Sequence, residues 1–416
     1  LGMDFDRVRA PIPEFLLMGG MMVGKLDIIN LLRRFKSVSA FAHSATIIMR
    51  YFWDRLRFCR GTRLVMGNAL VARLLYSLKK NDVAILFESP IDKFIRKGGA
   101  VVGAVLKTPD GAKRVKARKG VVLATGGFAH NPKYRQMFMP KPTPPYSLAP
   151  DTNTGDGVAL ADNLGAYIDT SGHGGGLWSP VSVTTRANGK QGLYPHLAMD
   201  RAKPGLISVN ALGRRFVNEA VSYHDFVEAI YRSHETDNTI PCWLICEAAF
   251  ITKYGLGAIH PETRDFSKYV ANGYLTLADN LEELAAEIGV DPDGLSDTVA
   301  RHNGFARTGI DEDFGKGDLE LNRFNGDPSH APNPCLGPIE VGPFAAMAVW
   351  PAELACSVGI STDPAGRVID DKDEPIPGLY AAGNDMGSVM SGSYPGPGTT
   401  LGPAVVFGWR IAMHAA

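Results

Sequence analysis

Two glycine-rich segments are the parts of this chain best suited to chemistry. The longer runs from Gly378 to Gly408, GLYAAGNDMGSVMSGSYPGPGTTLGPAVVFG. An apolar strand, LYAA, leads into a polar loop, then a loop dense in Gly and Pro, then an apolar helix. A helix start presents unpaired backbone N–H groups with partial positive charge. Such a terminus can stabilise negative charge that builds up on a bound group. Gly383 and Asn384 follow the strand, where the Asn384 amide could bond a polyol chain. Thr400 and Leu401 fall at the helix start. Tyr394 adjoins Pro395 and two glycines, so its hydroxyl either points into a cleft or is satisfied in a core or at the surface. The shorter segment is KGVVLATGGF. A strand ending in Thr125, Gly126 and Gly127 lets a ligand approach the backbone at a sheet's carboxyl edge. A plain strand with a tight turn is the alternative.

These segments need elements to position them. GVVLAT, 120 to 125, is almost wholly apolar and is expected as a central strand buried on both faces. GVALADNLGA is expected as a helix, as is the tail from Thr399 or Thr400. GRVID and GLYAAG are expected as a return to sheet after a Pro-containing linker. Further upstream, residues 21 to 58 read as helical. Residues 62 to 80 form a helix with Leu64, Leu70, Leu74, Leu75 and Leu78 on one buried stripe. VAILFE at 83 to 88 is a strand candidate. AVVGAVLKT and AKRVKAR flank Pro109-Asp110-Gly111 and predict a hairpin. Residues 171 to 195 and 312 to 345 are Gly- and Pro-dense and are expected as loops. LISVNALGRRFVNE predicts strand, turn, strand, and LADNLEELAAE, near 278 to 288, a helix.

With 416 residues the chain is too long for one ordinary core, so two or more domains are expected. Lys plus Arg equals Asp plus Glu, 43 each, so no overall basic field exists to hold nucleic acid. Five cysteines, an odd number with no CxxC, argue against a disulfide scaffold and fit a cytosolic setting. Cys242 and Cys246 could share a helix face, but no companion ligands make a metal site of them. No run of roughly 18 apolar residues occurs, so no spanning helix is expected. Residues 15 to 53 are apolar and basic enough for contact with a lipid surface, or for a core helix pair.

Four segments then point to a family. GVVLATGGF, NTGDGVALADNLGA, ISVNALGRRFVNEAVSY and the stretch from Leu379 to Gly408 occur in family order and span most of the chain. Together they resemble the FAD-dependent 3-ketosteroid dehydrogenases and fumarate reductase-like flavoproteins. The resemblance implies an α/β fold: a Rossmann-like FAD-binding domain split in sequence, with an α+β catalytic domain inserted. The implied division is 1–184 and 356–416 for the FAD-binding domain and 185–355 for the catalytic one. Thr125, Gly126, Gly127, Thr154, Gly155, Asp156, Gly383, Asn384, Thr400 and Leu401 would hold FAD; Asp156 could instead cap the following helix. Arg214 and Arg215 are expected to support the fold.

The two branches of the family differ at the residues that act. Fumarate reductases carry an Arg proton donor four positions after the Glu of RFVNE; here Glu219 is followed by Tyr223. In the ketosteroid branch a Tyr at that place abstracts a proton from C2, and the Tyr and last Gly of YPGxG bind the C3 ketone. Tyr394-Pro395-Gly396-Pro397-Gly398 matches that segment. The resemblance thus implies dehydrogenation of a flat, apolar, steroid-like ketone at C1–C2, with hydride passing to FAD N5. A ketone makes the neighbouring C–H acidic, and Tyr394 and Gly398 would form the oxyanion hole. Tyr223 needs help as a base, because a free tyrosine titrates near 10. The tyrosine that assists it in the family has no counterpart: Tyr51 and Tyr76 lie in other sequence contexts. His173 and His224 are either polar groups of the site or structural. The family's first strand, GxGxxG and helix have no match here, and we expect the first βαβ unit to be missing from this chain. A flavin-dependent reductase of an enone or unsaturated acid, and a flavin-free remnant, are the competing expectations. The electron acceptor is not specified by the sequence.

Overall fold

Helical spacing of apolar residues builds the first part of the chain; strands dominate the rest. The computed structural model of the protein describes residues 16–171, 174–186, 188–197 and 200–416. It divides into two compact units, Leu1–Ser89 and Pro90–Ala416.

In the first unit β1 (Leu16–Leu17) and β2 (Met21–Met22) form a small hairpin, followed by α1 (Lys25–Leu32), α2 (Val38–Arg55) and α3 (Met66–Lys80). The continuous helical stretch expected over 21–58 is therefore two helices with a break at 33–37. Met21, Val23 and Tyr51 form the unit's core, and the Tyr51 hydroxyl donates to the Met18 carbonyl at 2.7 Å. The buried Asp27 carboxylate accepts from the Gly24 N–H at 2.7 Å and from Arg63 at 2.8 Å. α3 forms where expected, but its leucine stripe is not buried: Leu70, Leu74 and Leu78 are 39%, 45% and 43% exposed. The strand expected at 83–88 has no ladder partner among the described residues, and without one the segment has no sheet to join.

The second unit opens with β3 (Ile91–Lys97), β4 (Ala100–Thr108), β5 (Gly111–Lys116), β6 (Val121–Leu123), α4 (Pro132–Phe138) and α5 (Asp156–Asp162). It continues with β7 (Ile168–Asp169), β8 (Gly176–Thr185), β9 (Gln191–Pro195), β10 (Leu206–Val209), α6 (Tyr223–His234), β11 (Cys242–Glu247), α7 (Ala248–Tyr254) and α8 (Ser267–Ala271). Last come β12 (Thr276–Ala278), α9 (Leu281–Ile288), α10 (Pro292–Thr308), α11 (Glu320–Asn325), β13 (Phe344–Cys356), β14 (Gly359–Ile360), β15 (Arg367–Ile369), β16 (Pro375–Ala381) and α12 (Leu401–Ala415).

Three of its sheets matter for the site. β3, β4 and β5 form an antiparallel meander that contains the expected hairpin. β15, β16 and β6 form a second sheet, in which β16 and β6 run parallel, so two chain segments far apart end at one edge. The third is antiparallel, in the order β10-β11-β13-β8-β9 with β12 also on β13. The architecture is thus a split α/β domain, whose mixed sheet takes β6 from before and β15–β16 from after an inserted subdomain built on the antiparallel sheet.

Several expectations fail here: residues 320–325 are helix α11 within the loop expected over 312–345, the second strand expected after β10 is reduced to one bridge between Val209 and Arg215, and Cys242 and Cys246 lie on strand β11 and not on a helix. Residues 176–185 and 191–195 are strands, not loop. The glycines of this stretch suggested a loop, yet it pairs with β13, and Pro180 sits opposite Pro351 in that ladder, where neither residue has an N–H to place. The β6 segment is not buried on both faces: Leu123 is fully buried, but Val122, which alternates to the other face, is 45% exposed, so one face of β6 is left uncovered.

α6 shows how local sequence and packing agree. Ser222 caps it, its hydroxyl accepting from the Asp225 N–H at 3.1 Å. Phe226, Val227 and Ile230 turn inward and are fully buried, against β8 among others. Burying Phe226 alone stabilises the fold by about 2–3 kcal/mol.

Two buried charged groups hold the unit together. The Glu219 carboxylate accepts from Arg215 at 2.8 and 2.9 Å and from the Ser208 N–H at 3.1 Å, and lies 3.2 Å from Lys316 Nζ. Arg215 also donates twice to Asp311, at 2.9 Å. Burial alone would raise the Glu219 carboxyl, but the Arg215 and Lys316 charges overcome it and hold it well below the ordinary range. The Asp385 carboxylate, fully buried, takes the Thr125 N–H at 2.5 Å, the Thr125 hydroxyl at 2.9 Å and the Gly127 N–H at 2.8 Å. It ties the end of β6 to the turn after β16. Gly157 at the start of α5 lies so close that a Cβ there would meet Asp385 Oδ2 at 2.5 Å.

Glu219→Gln strands Arg215 and Lys316 with one carboxylate between them and should lower the unfolding free energy in urea by about 3 kcal/mol. Because the Glu219 value is depressed, this stabilisation is complete above the ordinary glutamate range and disappears as pH falls through the lower folded value. Asp385→Ala leaves the buried Gly127 N–H and the part-buried Thr125 N–H without an acceptor and should cost about 2–3 kcal/mol on the same assay. A loss below about 1 kcal/mol for either would show that water replaces the lost partner.

Candidate active site

Tyr223 is the first residue of α6, and its place follows from what precedes it. The Glu219 side chain is clamped by Arg215 and Lys316. The buried Arg201 guanidinium donates to the Glu219 carbonyl at 2.6 Å and to the Val221 carbonyl at 3.3 Å. The same guanidinium lies over the Phe226 ring, 4.6 Å from its centroid. The short stretch between Glu219 and Tyr223 therefore starts from a fixed point and enters a capped helix.

The Tyr223 ring meets Tyr394 edge to face, with centroids 5.1 Å apart and an interplanar angle of 63°. Tyr394 is brought there by the loop between β16 and α12, 171 residues further along the chain (394 − 223). Burial pushes the Tyr223 phenol well above its ordinary value, and the neighbouring Tyr394 phenol adds to the shift. His224 is fully buried behind the pair, and its ring stacks on Tyr394 with centroids 5.9 Å apart.

Gly383, Asn384 and Thr400 line one crevice together with Leu177, Cys356 and Thr399. A Cβ on Gly383 would meet nothing nearer than Ala404 Cβ at 3.7 Å, so this backbone faces open space. Gly398 lines an adjoining cavity of about 520 Å³ with Met390, Pro395, Val406 and Phe407 among others, and none of its lining side chains is charged. Leu401 is the first residue of α12, capped by Thr400. The first N–H groups of that helix have no intrahelical acceptor.

The other glycine segment is arranged differently. Thr125 and Gly127 give their N–H groups to Asp385. The space beside Gly126 is taken by Asn153 and that beside Gly127 by the Asn384 carbonyl, both at 2.7 Å from a would-be Cβ. The exposed face here is that of Ala124 and Thr125. Gly155 donates to the Gly127 carbonyl at 3.1 Å. Thr154 and Asp156 are exposed beside it, joined by a 3.0 Å hydrogen bond. Asp156 is the first residue of α5 and not its cap, which is Gly155. Arg215 supports the fold, whereas Arg214 is exposed. His173 lies outside the described residues.

These residues fit the ring and polyol end of FAD. Two parallel strands end in glycine turns and the Gly383 backbone is open; at the start of α12 Gly402 gives its N–H to the Gly398 carbonyl at 2.7 Å and Pro403 has none, so the Leu401 N–H is the donor offered beside the crevice of neutral groups. Sequence reasoning missed Asp385 and Arg201. A buried Asp after a glycine turn is a weak signal by itself, and its partners lie 258 and 260 residues away.

The FAD binding domain family model matches residues 18–401. The 3-oxosteroid 1-dehydrogenase of Mycolicibacterium smegmatis is 34% identical over 429 residues, covering 100% of this chain and 73% of that protein. The 4-oxocyclohex-2-ene-1-carboxylate 5-dehydrogenase of Sinomonas cyclohexanicum is 37% identical, covering 92% of this chain and 65% of that protein. The chain therefore spans about two thirds to three quarters of these relatives' lengths. Among solved structures, 3-ketosteroid Δ1-dehydrogenase from Sterolibacterium denitrificans in complex with 1,4-androstadiene-3,17-dione is 35% identical with a TM-score of 0.87, covering 96% of this chain and 72% of that one. A chain matched from end to end by such relatives, with a glycine-lined crevice at the carboxyl edge of a parallel strand pair, belongs to the FAD-binding domain family, as a flavoprotein akin to the 3-ketosteroid 1-dehydrogenases.

Proposed function

We propose that the protein dehydrogenates a flat, apolar 3-keto substrate of steroid type at C1–C2, with Tyr223 as base and Tyr394 and Gly398 as the pair that binds the ketone. The observation that carries this reading is the contact between the Tyr223 and Tyr394 rings at 5.1 Å, next to the cavity that Gly398 lines. Tyr394 donates its phenol proton to the ketone oxygen, and the Gly398 N–H does the same. Both gain strength as that oxygen takes on enolate charge. Tyr223 removes the proton from the carbon alpha to the ketone. FAD, when bound, accepts the second hydrogen with its electron pair.

Within this reading FAD is held by Thr125, Gly126, Gly127, Thr154, Gly155, Asp156, Gly383, Asn384, Thr400 and Leu401. Residues 1–184 and 356–416 serve the cofactor, and 185–355 serve catalysis. The uncharged cavity favours an apolar ketone over the oxo-carboxylate named for the Sinomonas relative, since a carboxylate would call for a cation there. The electron acceptor is an external oxidant. Among the described residues no helix is long and apolar enough to cross a membrane; we place the protein in the cytoplasm, with weak contact to lipid where its substrate dissolves.

The reading is tested on the complete FAD-loaded protein with 4-androstene-3,17-dione and an artificial electron acceptor. Turnover is expected, and none with any 3-ketosteroid would overturn the assignment. Tyr223→Phe should lower kcat about a thousandfold while flavin stays bound. Because the Tyr223 phenol is shifted upward, its ionised fraction is small and grows about tenfold per pH unit across the neutral range. The profile of kcat/KM should therefore climb through that range, and a plateau beginning below pH 8 would exclude Tyr223 as the base.

A further inference from the structure

His224 is the buried titratable group at the site that the reaction above does not use. Its ring is 1% exposed. Nδ1 accepts the backbone N–H of Trp178, in β8, at 3.1 Å. The proton of the neutral ring therefore sits on Nε2. That atom is buried with no hydrogen-bond partner. Glu228, one helical turn on, brings Oε1 to 3.3 Å of Nε2 but off the line of a hydrogen bond, and its side chain is 35% exposed. One face of the imidazole carries the Tyr394 ring, at 5.9 Å and 27°.

Among the described residues, the loop that carries Tyr394 is held mainly by short-range turns. Its backbone bonds run from Ser391 to Ser388, from Ser393 to Met390 and from Thr399 to Gly396. The Tyr394 ring rests on two aromatic neighbours, Tyr223 at its edge and His224 beneath it. Of these, His224 is bonded directly to the sheet.

We propose that His224 is a positioning residue. Its imidazole, locked to the Trp178 amide and facing Glu228, is the surface that orients Tyr394 and so aims the phenol that polarises the ketone. This inference rests on the ketone-binding role of Tyr394 proposed above. A tilt of the Tyr394 ring moves its hydroxyl by more than a hydrogen bond tolerates, so loss of the imidazole face should weaken ketone binding and turnover together.

The test uses the complete FAD-loaded protein, with turnover of 4-androstene-3,17-dione and equilibrium binding of 1,4-androstadiene-3,17-dione as separate readouts. His224→Asn keeps an acceptor for the Trp178 amide but removes the ring face. It should lower kcat about tenfold and weaken product binding by a similar factor, with flavin content unchanged. His224→Phe keeps a ring face and loses the acceptor; it should bind product within about threefold of wild type. Glu228→Gln, at a half-buried position, should fold normally and lower kcat by about two- to fivefold. The double variant with Tyr394→Phe decides the matter. If His224 acts through Tyr394, removing the phenol should cost clearly less in the His224→Asn background than in wild type. Equal costs in both backgrounds, or product binding untouched by His224→Asn, overturn the positioning role and leave the reaction assignment standing. A Tyr394→Phe variant with wild-type kcat and product binding overturns the ketone-binding role of Tyr394, and the inference with it.

Discussion

One buried carboxylate holds the candidate cofactor site in shape. Asp385 lies fully buried just past the Gly383 turn and accepts from Thr125 and Gly127 at the end of β6. A hydrogen bond to a charged acceptor is stronger than a neutral one, and three of them share this carboxylate. They set the two parallel strand ends side by side, and so the two glycine turns. α5 begins against the same carboxylate, where only a glycine at position 157 leaves it room. The crevice lined by Gly383, Asn384 and Thr400 forms beside this junction. Its walls come from Leu177, Cys356, the turn after β16 and the start of α12, and Asp385 fixes that turn against the end of β6.

A second constraint acts on the catalytic side. Arg215, Lys316, Glu219 and Asp311 bring two positive and two negative side chains into one buried cluster. Burying isolated charge is costly, and the cluster offsets that cost by pairing every member. Its effect on the site is geometric. With the Glu219 side chain clamped and its carbonyl held by Arg201, the chain has one route into α6, and Tyr223 emerges at the helix start. The aromatic contact with Tyr394 follows, and His224, next in sequence, also meets the Tyr394 ring while its Nδ1 reaches β8. Adjacent residues on a helix face different directions, which lets one serve the cleft and the other the frame.

Much of the fold was legible from local pattern. The meander around Pro109-Gly111, the helix after Thr154, the return to sheet at 366–381 and the C-terminal helix all carry their own turn and cap signals. Where pattern misled, the reason is packing. The glycine-rich run 171–195 reads as loop, but residues 176–185 and 191–195 pair with each other, and the first of them with β13. The apolar run at 120–125 reads as buried on both faces, but face burial depends on what packs over the sheet, and Val122 is left exposed. The leucines of α3 have the right period for a stripe, while exposure at Leu70, Leu74 and Leu78 depends on what lies against them.

The sequence by itself determined the chemistry available: paired glycines after strands, a glycine- and proline-rich loop before a helix, and a tyrosine four residues after Glu219. These are local facts, written in residue type and spacing. Only the tertiary structure decided which of them meet. Tyr223 and Tyr394 are 171 positions apart, and Asp385 reaches back 260 to Thr125. Partnerships of that range leave no periodic trace, because they depend on how strands pair and where charges are buried. The roles of Asp385, Arg201 and His224 became visible when those elements were assembled.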